Sequence, residues 1–164
     1  MKKPADTHLI EKKTALTDNS ALAEEPGVER LVRKALSMRE LSYAPYSDFA
    51  VGAALEASDG SLFGGCNIEN AAYGPTMCAE RTALFKAVSE GCRSFRRIVI
   101  AGGPAGDAPQ RFCPPCGSCR KVLAEFCDPE TFEIILAGAD GKTETHTLKE
   151  LLPLGFTKNA LRHA

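Results

Sequence analysis

The sequence predicts an α/β fold, a mixed sheet of five strands covered by helices. Two observations carry that prediction. The stretch "FAVGAALEASDGSLFGGC" (49–66) holds two β-prone runs about a Ser-Asp-Gly turn, the signal of an antiparallel hairpin. Residues 95–138 read as strand, helix, strand, and a helical crossover between neighbouring strands makes that pair parallel.

The elements follow in order. Residues 1–26 are polar, mixed in charge and without sustained periodicity. They are expected to form a flexible N-terminal extension ending near Pro26, ahead of a single domain over 27–164. From Val28, the apolar Leu31, Val32, Ala35, Leu36 and Leu41 recur at helical spacing until the turn at Pro45, giving the first helix. The hairpin comes next. "NIENAAYGPTM" (67–77) is too rich in Asn, Gly and Pro to be anything but a loop. In "CAERTALFKAVSEG" (78–91), Ala79, Ala83, Leu84, Ala87 and Val88 mark a second helix, with Thr76 as a candidate N-cap and Gly91 as the stop. "FRRIVIAGG" (95–103) reads as a strand, "CGSCRKVLAEFC" (116–127) as a helix and "TFEIILAG" (131–138) as a strand. "KTETHTL" (142–148) gives the fifth strand and "LKELL" (148–152) a short closing helix.

Global composition narrows the function. A chain of 164 residues with 44% hydrophobic content can bury one ordinary core. A net charge of -1 supplies no broad basic surface for nucleic acid, so a small neutral ligand is the expected partner. No apolar run approaches the roughly 18 residues that span a bilayer, and "MKKPADTHLIEKKTALTDNS" lacks the apolar core of a secretory signal. A cytoplasmic protein without membrane contact is expected. Its seven cysteines (66, 78, 92, 113, 116, 119, 127) then serve as buried small side chains, metal ligands or nucleophiles rather than as a disulfide framework.

Cys116 and Cys119 in "PPCGSCRK" (114–121) lie three apart on one helical face, beside the backbone N–H groups of the helix's positive end. That setting favours thiolate. Pro114 and Pro115 impose an extended approach, so the chain should turn into the helix at Cys116 itself. A redox pair and a metal site both fit this much. "MCAERT" puts Cys78 at the start of the other helix, and Cys78, Cys116 and Cys119 make the three protein ligands of a catalytic zinc whose fourth position is open. Cys113 is the candidate fourth ligand of a structural zinc, but the two intervening prolines carry it away from the shared face. His8, His146 and His163 read as surface residues. Glu80 is about 200° around an ideal helix from Cys78, poorly placed to chelate the same ion. It could instead stand beside the open position, taking a proton from water and returning it to a leaving group. A glutamate in a first helical turn is also favourable on dipole grounds alone.

"NIENAAYGPTMCAERTALFKAVSEG" followed by "PPCGSCRKVL" resembles the cytidine deaminases, specifically the short-chain homotetrameric type that binds zinc through three cysteines. The similarity runs from about Tyr46 to Phe156. Zinc deaminases at large carry H-x-E with P-C-x-x-C and use the glutamate as acid and base; here Cys78 stands where the histidine would be. The resemblance implies an α/β/α sandwich with a five-stranded mixed sheet. It also implies Zn2+ on Cys78, Cys116 and Cys119 and hydrolysis of cytidine and deoxycytidine to uridine and deoxyuridine. Water would add at C4, with Glu80 passing the proton to N3 and then to departing ammonia. A homotetramer with shared active sites and a place in pyrimidine salvage follow from the same likeness.

Further roles are implied residue by residue. Asn67 and Glu69 match an Asn-x-Glu pair that binds the ribose hydroxyls, although Asn67 alone would read as a turn residue. Phe49 in "PYSDFAVGAAL" matches a ring that packs on the pyrimidine, and the Ala79 backbone amide would face the base. Phe156, after "LKELLPLG", would close over the pyrimidine of an adjacent subunit. Arg81, three residues from Cys78, could hydrogen-bond its thiolate and offset the charge of a three-thiolate centre, or be an ordinary surface arginine.

Pro114 and the Gly74-Pro75-Thr76 approach depart from the family's usual residues without touching a proposed ligand. Cys92, Cys113 and Cys127 match no family site and are expected as buried thiols, while Cys66 has no assigned role. Three rival readings stay open: a related aminopyrimidine deaminase such as one for blasticidin S, a zinc-stapled binding module using Cys113, and a dithiol oxidoreductase. Asn67, Glu69 and "CAERTA" favour the nucleoside.

Overall fold

The structure, a computed structural model, describes residues 27–161; the expected extension over 1–26, His8 and His163 lie outside them. Helix α1 spans Val28–Arg39 and is followed by β1 (Phe49–Ala57) and β2 (Leu62–Cys66). Helix α2 (Ala79–Ser89), β3 (Phe95–Pro104), α3 (Gly117–Phe126), β4 (Glu133–Ala137) and β5 (Thr143–Thr147) come next. Two single-turn helices close the chain, α4 (Leu148–Leu151) and α5 (Lys158–Leu161), the second of which carries no signal in the sequence.

The sheet order is β2-β1-β3-β4-β5. β1 pairs antiparallel with β2 and β3, β3 pairs parallel with β4, and β4 pairs antiparallel with β5. Side chains alternate between the two faces of a strand, which divides the apolar residues into two layers. On one face Leu31 and Ala35 of α1 meet Ala54, Val99 and Ile135. On the other Ala83 and Leu84 of α2 and Leu123 of α3 meet Leu55, Ile98 and Ile134. This is the α/β/α sandwich. Ile98, Val99, Ile100 and Ala101 are all fully buried, as a central strand covered on both sides requires.

Three local features place the second helix. Thr76 is not its N-cap: the Thr76 hydroxyl accepts the Asn70 N–H at 3.1 Å, and Cys78 takes the cap position in extended conformation. Gly91 ends the helix with φ +95°, as its residue type predicted. Gly65 of β2 lets the first turns of α2 approach the strand, since a Cβ there would lie 2.3 Å from Ala83 N and 2.4 Å from Ala79 O. The thiol expectations need one correction. Cys127 is buried, but Cys92 and Cys113 are only half-buried, both being carried by loops, with Cys92 packed against the edge of the apolar layer under α2 and α3. Among the described residues no helix is long and apolar enough to cross a membrane.

Candidate active site

The parallel β3–β4 crossover sets the N-terminus of α3 beyond the end of β3, and the 67–78 loop brings the N-terminus of α2 beside it. Cys116 caps α3 and its Sγ accepts the Cys119 N–H at 3.4 Å; Cys78 caps α2 with no side-chain cap bond, so its sulfur is left for other partners. The Sγ atoms of Cys78 and Cys116 are 3.8 Å apart and those of Cys116 and Cys119 are 3.3 Å apart. All three lie within 4.8 Å of one another. Cys113 is outside the group. Three convergent thiols at two positive helix ends form a soft donor set that suits zinc, with one tetrahedral position left over.

Charge is unevenly shared in the cluster. A hydrogen bond from Cys119, helped by Arg81, holds the Cys78 thiol down to about 5. The same bond pushes Cys119 up, so the pair keeps one proton between them that a bound cation would displace. Arg81 Nη2 lies 3.7 Å from Cys78 Sγ and donates to the Thr76 carbonyl at 3.2 Å. Its Nε is buried with no partner among the described residues. Glu80, in the first turn of α2, is 4% exposed. Burial, and then the negative Cys78 beside it, raise its carboxyl above the ordinary glutamate value. A carboxyl that holds its proton more readily than in water is suited to give and take protons near neutrality.

The neighbouring wall is more open. Asn67 faces the start of β1, its Oδ1 accepting the Val51 N–H at 2.8 Å and its Nδ2 donating to the Phe49 carbonyl at 2.9 Å. Glu69 accepts N–H bonds from Tyr46 at 2.9 Å and Ser47 at 3.3 Å, and also the Ser47 hydroxyl. The Ser47 hydroxyl is the main reason its carboxylate stays below the usual range. Glu69 lines a cleft of about 440 Å³ with Tyr46, Ser47, Tyr73 and Thr76. Phe49 and Cys113 line an adjoining apolar cleft of about 450 Å³. Gly102 makes room for both: a Cβ there would lie 2.6 Å from Cys113 Sγ and 3.3 Å from Phe49 Cε1. Ala79 is fully buried at the first position of α2. Phe156 joins neither cleft; it is 62% exposed, with Lys121 Nζ 5.8 Å from its ring centroid.

Two arginines that frame this site carried no signal. Arg39 is buried at the end of α1, donating Nε to the Ala50 carbonyl at 3.0 Å and its other nitrogens to the Pro104 and Asp107 carbonyls. It ties the first residues of β1 to the end of β3. Arg120 donates to the Pro115 carbonyl at 2.7 Å and the Leu151 carbonyl at 2.8 Å, anchoring the prolyl approach to Cys116.

A family profile described as the cytidine and deoxycytidylate deaminase zinc-binding region matches residues 27–135. The chain is 47% identical over 137 residues to the cytidine deaminase of Sporosarcina psychrophila, covering 84% of this chain and 96% of that one. It is 50% identical over 129 residues to the cytidine deaminase of Halalkalibacterium halodurans, covering 79% and 93%. The fold matches the crystal structure of cytidine deaminase from Burkholderia pseudomallei with a TM-score of 0.72 at 43% identity, covering 80% of this chain and 100% of that one.

Proposed function

This chain belongs to the cytidine deaminase family of zinc-dependent hydrolases, and we propose from that premise that it converts cytidine and deoxycytidine to uridine and deoxyuridine with release of ammonia. The observation that carries the site assignment is the convergence of Cys78, Cys116 and Cys119 beside a buried Glu80. Those three thiols would hold Zn2+, which when bound supplies the Lewis acidity that makes water nucleophilic near neutral pH.

The chain's own residues do the rest. Glu80 takes a proton from the attacking water and passes it to N3 of the pyrimidine, then takes the proton of the new C4 hydroxyl and gives it to the C4 amine, which leaves as ammonia while the C4 carbonyl forms. Arg81 offsets the negative charge that three thiolates place around the metal, through its contact with Cys78. Phe49 packs on the base and the Ala79 backbone amide faces it. Asn67 keeps one amide N–H and one oxygen lone pair beyond its two backbone bonds, and Glu69 keeps lone pairs beyond its bonds to Tyr46 and Ser47; both are free for ribose hydroxyls. The 62% exposed Phe156 supports a role in the site of a neighbouring subunit within a homotetramer. The setting we infer is cytoplasmic pyrimidine salvage.

The rivals make different demands. A zinc-stapled binding module needs a fourth protein ligand, and Cys113 sits instead against Gly102 and Phe49. Ammonia release from the zinc-loaded enzyme, compared across cytidine, deoxycytidine, cytosine, dCMP and blasticidin S, tests the reading. The two nucleosides should turn over best. Turnover confined to blasticidin S, or none with stoichiometric zinc bound by four sulfurs, would overturn it.

A further inference from the structure

Another cavity, of about 700 Å³, opens at the other end of α3 from the thiols, about 15 Å along the helix axis. Arg93, Arg96, Arg97 and Lys158 line it, against only Asp128 and Glu133. Four cations around one cavity stand out in a chain whose net charge is -1.

Their partners show which of these charges are satisfied. Arg97 Nε lies 3.1 Å from a Glu56 oxygen and 3.3 Å from a Glu133 oxygen, so its charge is answered. Arg93 donates to the Val88 and Cys92 carbonyls, and Lys158 donates to the Glu125 carbonyl at 2.8 Å. Those carbonyls satisfy hydrogens but do not neutralise charge. The Arg96 side chain is exposed and makes no ion pair or hydrogen bond among the described residues. On the acidic side, Asp128 is partly engaged, accepting the Glu130 N–H at 3.0 Å. Among the described residues, three cations thus face the cavity without a carboxylate bound to them.

The donor chemistry around them is that of an oxyanion site. Guanidinium groups present paired N–H donors matched to phosphate oxygens, and a lysine adds a mobile point charge. Ser58 and Ser94, whose hydroxyls lie 2.7 Å apart with one donating to the other, leave one neutral hydroxyl donor in the lining. The volume falls within the roughly 300–1,000 Å³ of small-molecule sites and exceeds what a bare anion fills. Phe126 and Pro129 give one wall an apolar face against which an organic group could lie.

We propose that this cavity is a binding site for a phosphate dianion, carried by a small phosphate ester or free, separate from the thiol cluster. Calorimetry on the zinc-loaded full chain tests it, in a constant chloride background, with adenosine 5′-monophosphate, inorganic phosphate and adenosine as titrants. The monophosphate should bind with saturation below about 1 mM, and adenosine should give no such signal. The double substitution Arg93→Gln, Arg96→Gln should weaken the phosphate-bearing titrant at least about tenfold while zinc content and cytidine turnover stay at the parent level. Lys158→Gln serves as a second, independent variant should the first fold poorly. Inorganic phosphate binding as tightly as the ester supports the site and identifies the free anion as its ligand. No binding of either phosphate up to about 10 mM, or binding that neither variant weakens, overturns the proposal.

Discussion

The two sides of the candidate site are built differently. The thiol side rests on two helix N-termini, with Cys119 and Glu80 buried and the backbone fixed by close contacts such as Gly65 against Ala83. The wall beside it is loop and strand end, with Phe49 41% exposed and Tyr73 78% exposed. One side is finished within a single chain. The other presents aromatic rings to solvent, where large apolar groups are costly to leave, which is the condition of a surface awaiting either substrate or another subunit.

The largest effect should come from breaking the finished side. Cys116→Ala removes both a donor and the cap of α3, so zinc and all turnover should be lost and the melting temperature should fall, because metal binding and folding are linked. Cys113→Ala is the contrast, since its sulfur lies outside the group, and it should keep zinc. Metal analysis of the two purified variants decides the ligand set: full zinc in the first, or none in the second, refutes it.

Glu80→Gln should come next. The amide preserves volume at a position 4% exposed but cannot shuttle a proton, so zinc should be retained while turnover falls by roughly 10²–10⁴. Steady-state rates within tenfold of the parent would remove Glu80 from the proton path.

These effects concern the side that was legible from sequence, and the reason is local. Prolines 114 and 115, a cysteine pair three apart and a glutamate two residues after Cys78 act within a turn or two of helix, so spacing alone orients them. Where a local rule failed, the site had overridden it. Thr76 is the better capping residue by type, yet Cys78 occupies the cap and makes no cap bond, leaving its sulfur to the cluster. The open wall was legible only through resemblance. The Asn67 amide meets Phe49 and Val51 across two strands, and Arg39 reaches carbonyls 65 and 68 residues away. No periodicity encodes such contacts. An arginine ending a helix looks like an ordinary C-terminal charge until the sheet closes over it.

Arg81 joins the two sides, and its substitution should have a smaller effect. Arg81→Gln removes the donor near Cys78 and should lower turnover roughly tenfold, the order expected for one charge-assisted hydrogen bond. Cys78→His removes one negative ligand and so should partly rescue that defect. If the two losses simply add, charge compensation is not what Arg81 supplies.

The smallest effect tests whether the open wall is completed by another copy. Stacking of an aromatic on a base is typically worth about 1–3 kcal/mol, and Phe156 should fall at the low end because Lys121 already covers part of its ring. Phe156→Ala should therefore raise the Michaelis constant for cytidine about fivefold and leave zinc unchanged. That result alone does not say whose pyrimidine the ring covers. Oligomers mixed from Phe156→Ala and Glu80→Gln chains do, because only chains with an intact Glu80 turn over. If sites are shared, some of those chains receive Phe156 from a Glu80→Gln neighbour, and a fraction of the turnover should recover the parent Michaelis constant. If each chain supplies its own ring, every active site in the mixture lacks Phe156 and the raised constant persists unchanged. The comparison needs no large loss in either parent variant, only oligomers shown to be mixed. A uniformly raised constant in such oligomers would confine Phe156 to its own chain and leave the open wall to be closed by substrate alone.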